Sequence, residues 1–345
     1  MLKRLNINYK HLPILVTVGL FILMYIFGSM RYTGFMSSQV FLNLFINNAF
    51  LIILAVGMTF VILTGGIDLS VGSVIALTSM VAADLIMNAQ LSPWLVIPIS
   101  LLVGTTLGLI NGCIIHFFNI QPFIVTLAGL FLARGLAYLI NIESIAITDP
   151  FFDFMAKTRI PIGDSFISIS VVIALVVVLI GVYLAHYTNF GRTVYAIGGS
   201  EQSAVLMGLP VGRTKILIYT FSGFCASLAG LVFTFYMLSG YALHANGMEL
   251  DVIASVVIGG TLLTGGVGYV AGSVIGVLIL GVIQTIIIFE GTLSSWWTKI
   301  AIGVLVLAFI VFQRILVVRS NVKKAAGANN VDIKESSPPL KTKSM

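Results

Sequence analysis

The chain has 345 residues, 59% hydrophobic and only 9% charged, with a mean hydropathy of +1.10. A soluble domain carries about 25% charged residues, so this composition excludes one and identifies a polytopic membrane protein. The net charge of +6 reflects basic residues gathered on one side of a membrane and does not point to nucleic acid.

Apolar stretches near the length of about 20 residues that crosses a bilayer recur along the chain. They are far longer than the alternating segments of about ten residues of a membrane barrel, so the expected fold class is all-α, a polytopic helix bundle. Ten spans are expected, at 13–30, 43–63, 71–88, 93–117, 121–140, 166–187, 215–237, 251–263, 270–289 and 297–315. The first is long for a signal-peptide core and no small-residue cleavage site follows, so it reads as a retained span. The eighth is short and ends on a glycine break, which suggests a half-helix or a segment buried in the bundle. The membrane domain thus covers 13–315, between an amino-terminal segment 1–12 and a polar, disordered tail 316–345.

With the amino terminus inside, thirteen of the eighteen Lys and Arg fall on the cytoplasmic side, the bias the positive-inside rule demands. Both termini are therefore expected in the cytoplasm, and the tail's basic residues would meet anionic lipid there. Two connections are long. Residues 141–165 are expected outside. Residues 189–215 are expected inside, where Ser200–Met207 can form two short helical turns with Ser200 as a cap.

Leu63–Leu77 reads LTGGIDLSVGSVIAL and Leu263–Val277 reads LTGGVGYVAGSVIGV, identical at eight of fifteen positions. In each, an apolar run breaks at paired glycines, Gly65-Gly66 and Gly265-Gly266, then resumes. The first copy alone carries a carboxylate, Asp68, where the second has Gly268. Six expected spans lie between them, so both breaks face one side. That suits parallel copies, or inverted ones if the eighth segment is not a full span. Gly104, Gly108 and Gly112, Gly268, Gly272 and Gly276, and Ser222, Ala226 and Gly230 form small-residue stripes for close helix packing.

No phosphate loop, zinc-protease motif, nucleophile elbow or Cys-x-x-Cys pair occurs in the chain. An intramembrane enzyme is disfavoured, and no bound cofactor or metal is expected. The remaining chemistry is sparse intramembrane polarity. A charge at the bilayer centre costs at least about 2.5–3.5 kcal/mol, so it normally faces protein or water. Asn48, Asp68, Ser70, Thr126, Arg134 and Gln284 are the candidate path residues. Asp68 also reads as a cap for the helix starting near Leu69, a role compatible with lining a path. Arg134 reads more readily as paired to a carboxylate or to carbonyls between spans.

These residues carry a resemblance. The run Val56–Gly72, VGMTFVILTGGIDLSVG, resembles the signature of permease subunits of bacterial ABC importers of monosaccharides. This is the ribose/xylose group, related more distantly to branched-chain amino-acid permeases. Gly191–Gly208 resembles the segment of that family that contacts the ATPase, and Glu249–Gly260 its later block. Glu143–Ile147 and Gly291–Gly303 are similar to one permease of a galactofuranose importer.

The resemblance implies a non-catalytic subunit of the bacterial inner membrane that moves a monosaccharide, with galactofuranose leading, by alternating access. ATP would be hydrolysed on a partner ATPase, a second permease chain (a paralogue) would complete the path, and a periplasmic binding protein would deliver the sugar. The ATPase-docking loop would include Gly191, Arg192, Gly199, Glu201, Ala204 and Gly208. An ion-coupled secondary transporter is the contrasting expectation. The same importer class could also carry ribose, a nucleoside, an autoinducer or a branched-chain amino acid.

Overall fold

A computed structural model describes residues 12–294 and 296–311. Residues 1–11 of the expected amino-terminal segment 1–12, the tail 316–345 and residues 312–315 of the tenth expected span lie outside the described residues.

Five helices open the chain: α1 (Leu12–Arg31), α2 (Ser38–Leu63), α3 (Val71–Met87), α4 (Pro93–Phe117) and α5 (Pro122–Ile140). Prolines stand at the start of α4 and α5, where the missing N–H is no loss and the ring's fixed φ suits the first turn. The expected outer connection then folds into β1 (Ile145–Ala146), α6 (Pro150–Lys157), β2 (Arg159–Ile162) and β3 (Ser165–Ser168). Asp149 caps α6 by accepting from the N–H groups of Phe151 and Phe152. Next come α7 (Ile169–Tyr187), α8 (Asn189–Gly199), α9 (Glu201–Leu206), α10 (Val211–Met237), β4 (Ser239–Gly240), α11 (Met248–Ile258) and α12 (Val270–Glu290). A last helix, α13, spans Trp296–Val311.

Seven of these helices are long and apolar enough to cross a membrane: α1, α2, α4, α5, α7, α10 and α12. The eighth segment is a short, largely buried helix, as its length suggested, but it ends earlier than the expected residue 263. Its helix α11 ends at Ile258, and residues 259–269 continue without helix. The sixth expected span is also shortened, because residues 165–168 pair as a strand with 159–162 before α7 begins. Two antiparallel strand pairs, β2 with β3 and β1 with β4, gather at one end of the bundle, called here the hairpin end.

Helix α2 forms the centre: 89% of an 18-residue apolar stretch of it is buried, against 11% of the corresponding stretch of α1. Its buried face runs almost unbroken from Asn48 to Leu63, as expected of a helix surrounded by others. Around it pack α10, α12, α7 and α11, while α10 also covers α3 and lies along α4. Leu23, Phe131, Leu139 and Leu179 are exposed on α1, α5 and α7, the apolar exterior that lipid requires.

The glycine stripes explain how these helices meet. A Cβ at Gly108 would strike the Tyr219 carbonyl and lie 3.0 Å from the Cα of Gly223; at Gly112 it would lie 3.0 Å from the Cα of Ile216. The backbones of α4 and α10 are thus in direct contact. Gly272 and Gly276 do the same against the Gly259 and Ser255 carbonyls of the α11 region. Gly268 departs from its expected stripe: it precedes α12 and packs on the side chain of Thr261.

Candidate functional site

The two glycine breaks meet. The N–H of Gly266 donates to the Leu63 carbonyl at 2.8 Å, and a Cβ at Gly65 would lie 3.4 Å from the Thr264 carbonyl. Gly65, Gly265 and Gly266 hold φ of +78°, +82° and +78°, a left-handed backbone open to glycine and strained for other residues. Both α2 and α11 enter their breaks from the hairpin end, and α3 and α12 run back towards it. The two copies are therefore parallel, which resolves the alternative left open by the span count.

Residues 64–70 fold back from the end of α2 into the bundle before α3 starts, and Asp68 fixes that return. Its Oδ1 accepts from the Ser70 N–H at 3.0 Å and the Ser70 hydroxyl at 2.6 Å, and its Oδ2 accepts from the Ser222 hydroxyl of α10 at 2.8 Å. Asn111 of α4 donates to Ser70 Oγ at 3.3 Å. On the other side Thr126 of α5 donates to the Ile67 carbonyl at 3.2 Å and to the Pro122 carbonyl of its own helix at 2.8 Å. Asp68 is only 1% exposed, so these hydrogen bonds replace the water that burial removes. Helix α3 begins at Val71, the start of the expected span and two residues beyond the Leu69 of the capping reading, with Ser70 at the N-cap position. Asp68 therefore ties the turn before the helix to α10, and bonds no N–H inside the helix.

Of the six candidate path residues, Asp68, Ser70 and Thr126 come together at this first break. Arg134 stands apart, donating from Nη1 to the carbonyls of Ala242 and His244 at 2.5 and 2.8 Å. It thereby pins the 241–247 connection to α5, the carbonyl partnership expected for it. Asn48 lies on the α2–α12 contact, where it donates to the Leu44 carbonyl at 2.9 Å and faces Gly281. Gln284 is half-buried one turn along α12.

Sequence reasoning passed over several members of the site. Ser222 stood only in a packing stripe, and Asn111 sits beside Gly112 on a face assigned to packing. Tyr219 is buried against Gly66, and Glu249 against Gly72; the Tyr219 hydroxyl and Glu249 Oε2 have no hydrogen-bond partner among the described residues. A lone Tyr or Ser in an apolar helix carries no signal of its own. The one available clue was their spacing relative to the glycine stripes.

Helices α8 and α9 occupy the break end. Thr188 caps α8 by accepting from the Gly191 N–H at 3.2 Å, and Ser200 caps α9 by accepting from the Ser203 N–H at 3.2 Å. Gly198, the penultimate residue of α8, sits against the Leu63 carbonyl of the first break and Gly266 of the second. The Tyr195 hydroxyl donates to the Gly268 carbonyl at 2.8 Å. Burial pushes its phenol up to about 12, so the donor keeps its proton across the physiological range. Phe190 stacks on Phe60 of α2, ring centres 5.7 Å apart.

Among the loop residues singled out by sequence, Gly191 packs against the carbonyls at the end of α7, Arg192 donates to the Asn189 side chain, and Ala204 is buried. Gly199 and Gly208 face open space. Glu201 pairs with Lys215 at 2.6 Å. Val205, Leu206 and Met207 look buried in the sequence but are 56%, 82% and 66% exposed, leaving an apolar patch on α9 uncovered in the isolated chain.

A break-to-break contact roofed by a short two-helix insert suits a transport subunit, and comparison with known proteins decides its kinship. Residues 40–310 match the family model described as branched-chain amino acid transport system / permease component. The chain belongs to this permease family. The permease is 50% identical over 326 residues, covering 94% of it and 98% of the relative, to an inner membrane ABC transporter permease protein, YjfF, of Escherichia coli K12. It is 44% identical over 329 residues, 93% and 96% of the two chains, to the fructose import permease protein FruG of Bifidobacterium longum. The ribose import permease protein RbsC of Haemophilus influenzae is 38% identical over 291 residues, 84% and 89% of the two chains. No solved structure matches the permease at a significant level. As a permease component it is a multi-pass membrane subunit and not the ATPase, in keeping with the missing phosphate loop.

Proposed function

We propose that the permease forms the translocation path of an ABC importer for a monosaccharide in the bacterial inner membrane, with galactofuranose the leading cargo. The sugar class rests on relatives named for fructose and ribose import, and galactofuranose on the runs Glu143–Ile147 and Gly291–Gly303. The break end is assigned to the cytoplasm and the hairpin end to the outside, with both termini inside and α11 plus residues 259–269 counted as the eighth of ten crossings.

One observation carries the mechanism: Gly198 of α8 touches both glycine breaks at once. In this reading a partner ATPase grips the exposed apolar residues of α9. Closure of the ATPase on ATP displaces α8, and the two breaks, joined to each other and to α8, move together. Asp68 and Ser222 transmit that motion to α10, so the bundle reorients about the sugar path by alternating access. A second permease chain supplies the other wall of the path and a periplasmic binding protein delivers the sugar at the hairpin end. ATP is the partner's ligand; this chain needs no cofactor and no nucleic acid.

Uptake of labelled galactofuranose by cells carrying the complete transport operon tests the reading. Deletion of this gene alone should abolish uptake, and restoring it should recover uptake. Unchanged uptake in the deletion strain would overturn the assignment.

A further inference from the structure

We infer that the permease carries a monosaccharide-binding site of its own at the hairpin end, inside one chain and apart from the glycine breaks. The inference rests on the proposed sugar cargo. A cavity of about 250 Å³ lies between α2, α10, the end of α6 and the β2–β3 hairpin. Drug-sized ligands fill roughly 300–1,000 Å³, so this space suits a smaller molecule.

Its walls have two characters. Phe50, Phe166 and Phe235 bring aromatic rings, and Arg159, Ser168 and Ser170 bring polar groups. The Arg159 guanidinium lies over the Phe166 ring, 4.4 Å from its centre, so the charge is held at the cavity wall. Ser168 Oγ is buried and has no hydrogen-bond partner among the described residues. A buried hydroxyl without a partner is uncommon in a folded protein and calls for an explanation. A sugar hydroxyl would supply the missing bond.

The site is also rigid. Gln39 of α2 accepts from the Phe166 N–H at 3.0 Å and donates to its carbonyl at 3.3 Å, and Ser38 bonds Ser165, hydroxyl to hydroxyl, at 2.6 Å. The hairpin is thus fastened to α2 before any ligand arrives, which limits the ordering cost of binding.

A monosaccharide matches both wall types, with C–H faces for the rings and hydroxyls for Arg159 and Ser168. An alkyl chain would leave Ser168 unpaired. A phosphate headgroup would find one guanidinium, already stacked, since Lys157 is engaged with Asp153 at 2.7 Å.

The test uses the full-length permease in lipid nanodiscs, titrated with D-ribose, D-fructose, methyl galactofuranoside and, as a lipid-headgroup probe, glycerol phosphate. At least one sugar should bind saturably. Arg159→Gln should weaken it about tenfold or more, as loss of a hydrogen bond from a charged donor implies, and Ser168→Ala should weaken it severalfold. Ala156→Phe should fill the cavity and abolish binding. Thermal unfolding of Arg159→Gln and Ser168→Ala should match the parent, separating lost contact from lost fold. Absence of saturable sugar binding, equal binding by parent and all variants, or binding of glycerol phosphate alone would each overturn the site. If uptake depends on the gene but ignores all three substitutions, the importer reading stands and this site falls.

Discussion

Asp68 shows how a residue conspicuous in a sequence takes its partners from far along the chain. A lone carboxylate in an apolar repeat suggests a path or a helix cap, whereas the folded chain buries it with the Ser70 and Ser222 hydroxyls and the Ser70 N–H. Asp68→Ala would leave these donors without their acceptor in a dry interior. It should cost about 1–2 kcal/mol and lower the unfolding temperature in lipid. Asp68→Asn keeps one acceptor oxygen and should lose about half as much. Wild-type stability of the alanine variant would overturn this structural account of Asp68. Ser222 was invisible at this scale, because its partner lies 154 residues away and no local pattern links the two.

At the scale of elements, the small-residue stripes were the most legible feature. Glycines four apart predict a flat helix face, and α4 does meet α10 through Gly104, Gly108 and Gly112. Gly108→Leu should force the two backbones apart, at about 3 kcal/mol or more, and reduce the yield of monodisperse protein. Gly135→Leu on α5 is the control. A Cβ there meets nothing within 4 Å, so the variant should behave as the parent. Equal behaviour of the two variants would sink the close-contact account. Helix boundaries from the apolar runs fall close to those observed for the end of α2 and for α3 to α5, because prolines and the glycine break mark most of them in the sequence. Helix α2, by contrast, starts at Ser38, five residues before the expected 43. The early end of α11 was not legible, since its apolar run continues past Ile258 while only the contact between Gly259 and Gly272 shows where the backbone must turn.

Over the whole molecule, α8 is the piece seated against both breaks, and in the proposed mechanism it connects them to the ATPase. Gly199 is the glycine singled out in the sequence for the docking loop, whereas Gly198 is the residue seated against both Leu63 and Gly266. Gly198→Val should displace α8 and uncouple ATP hydrolysis from uptake in reconstituted vesicles while leaving insertion intact; a normal ratio of sugar moved to ATP hydrolysed would count against the coupling role of α8. Glu201→Arg should loosen the same insert by placing a second cation beside Lys215, reducing that ratio by a smaller factor.

By itself the sequence determined that this is a helical membrane protein, where most of its helices begin and end, and that two stretches repeat. Hydropathy, glycine spacing and proline act over a few residues and are written along the chain. Only the tertiary structure decided that the two repeats run parallel and touch, that Gly198 lies between them, and that Asp68 belongs to α10 as much as to its own turn. Those facts depend on backbone approach between segments as much as 200 positions apart, a distance over which composition and periodicity carry no information.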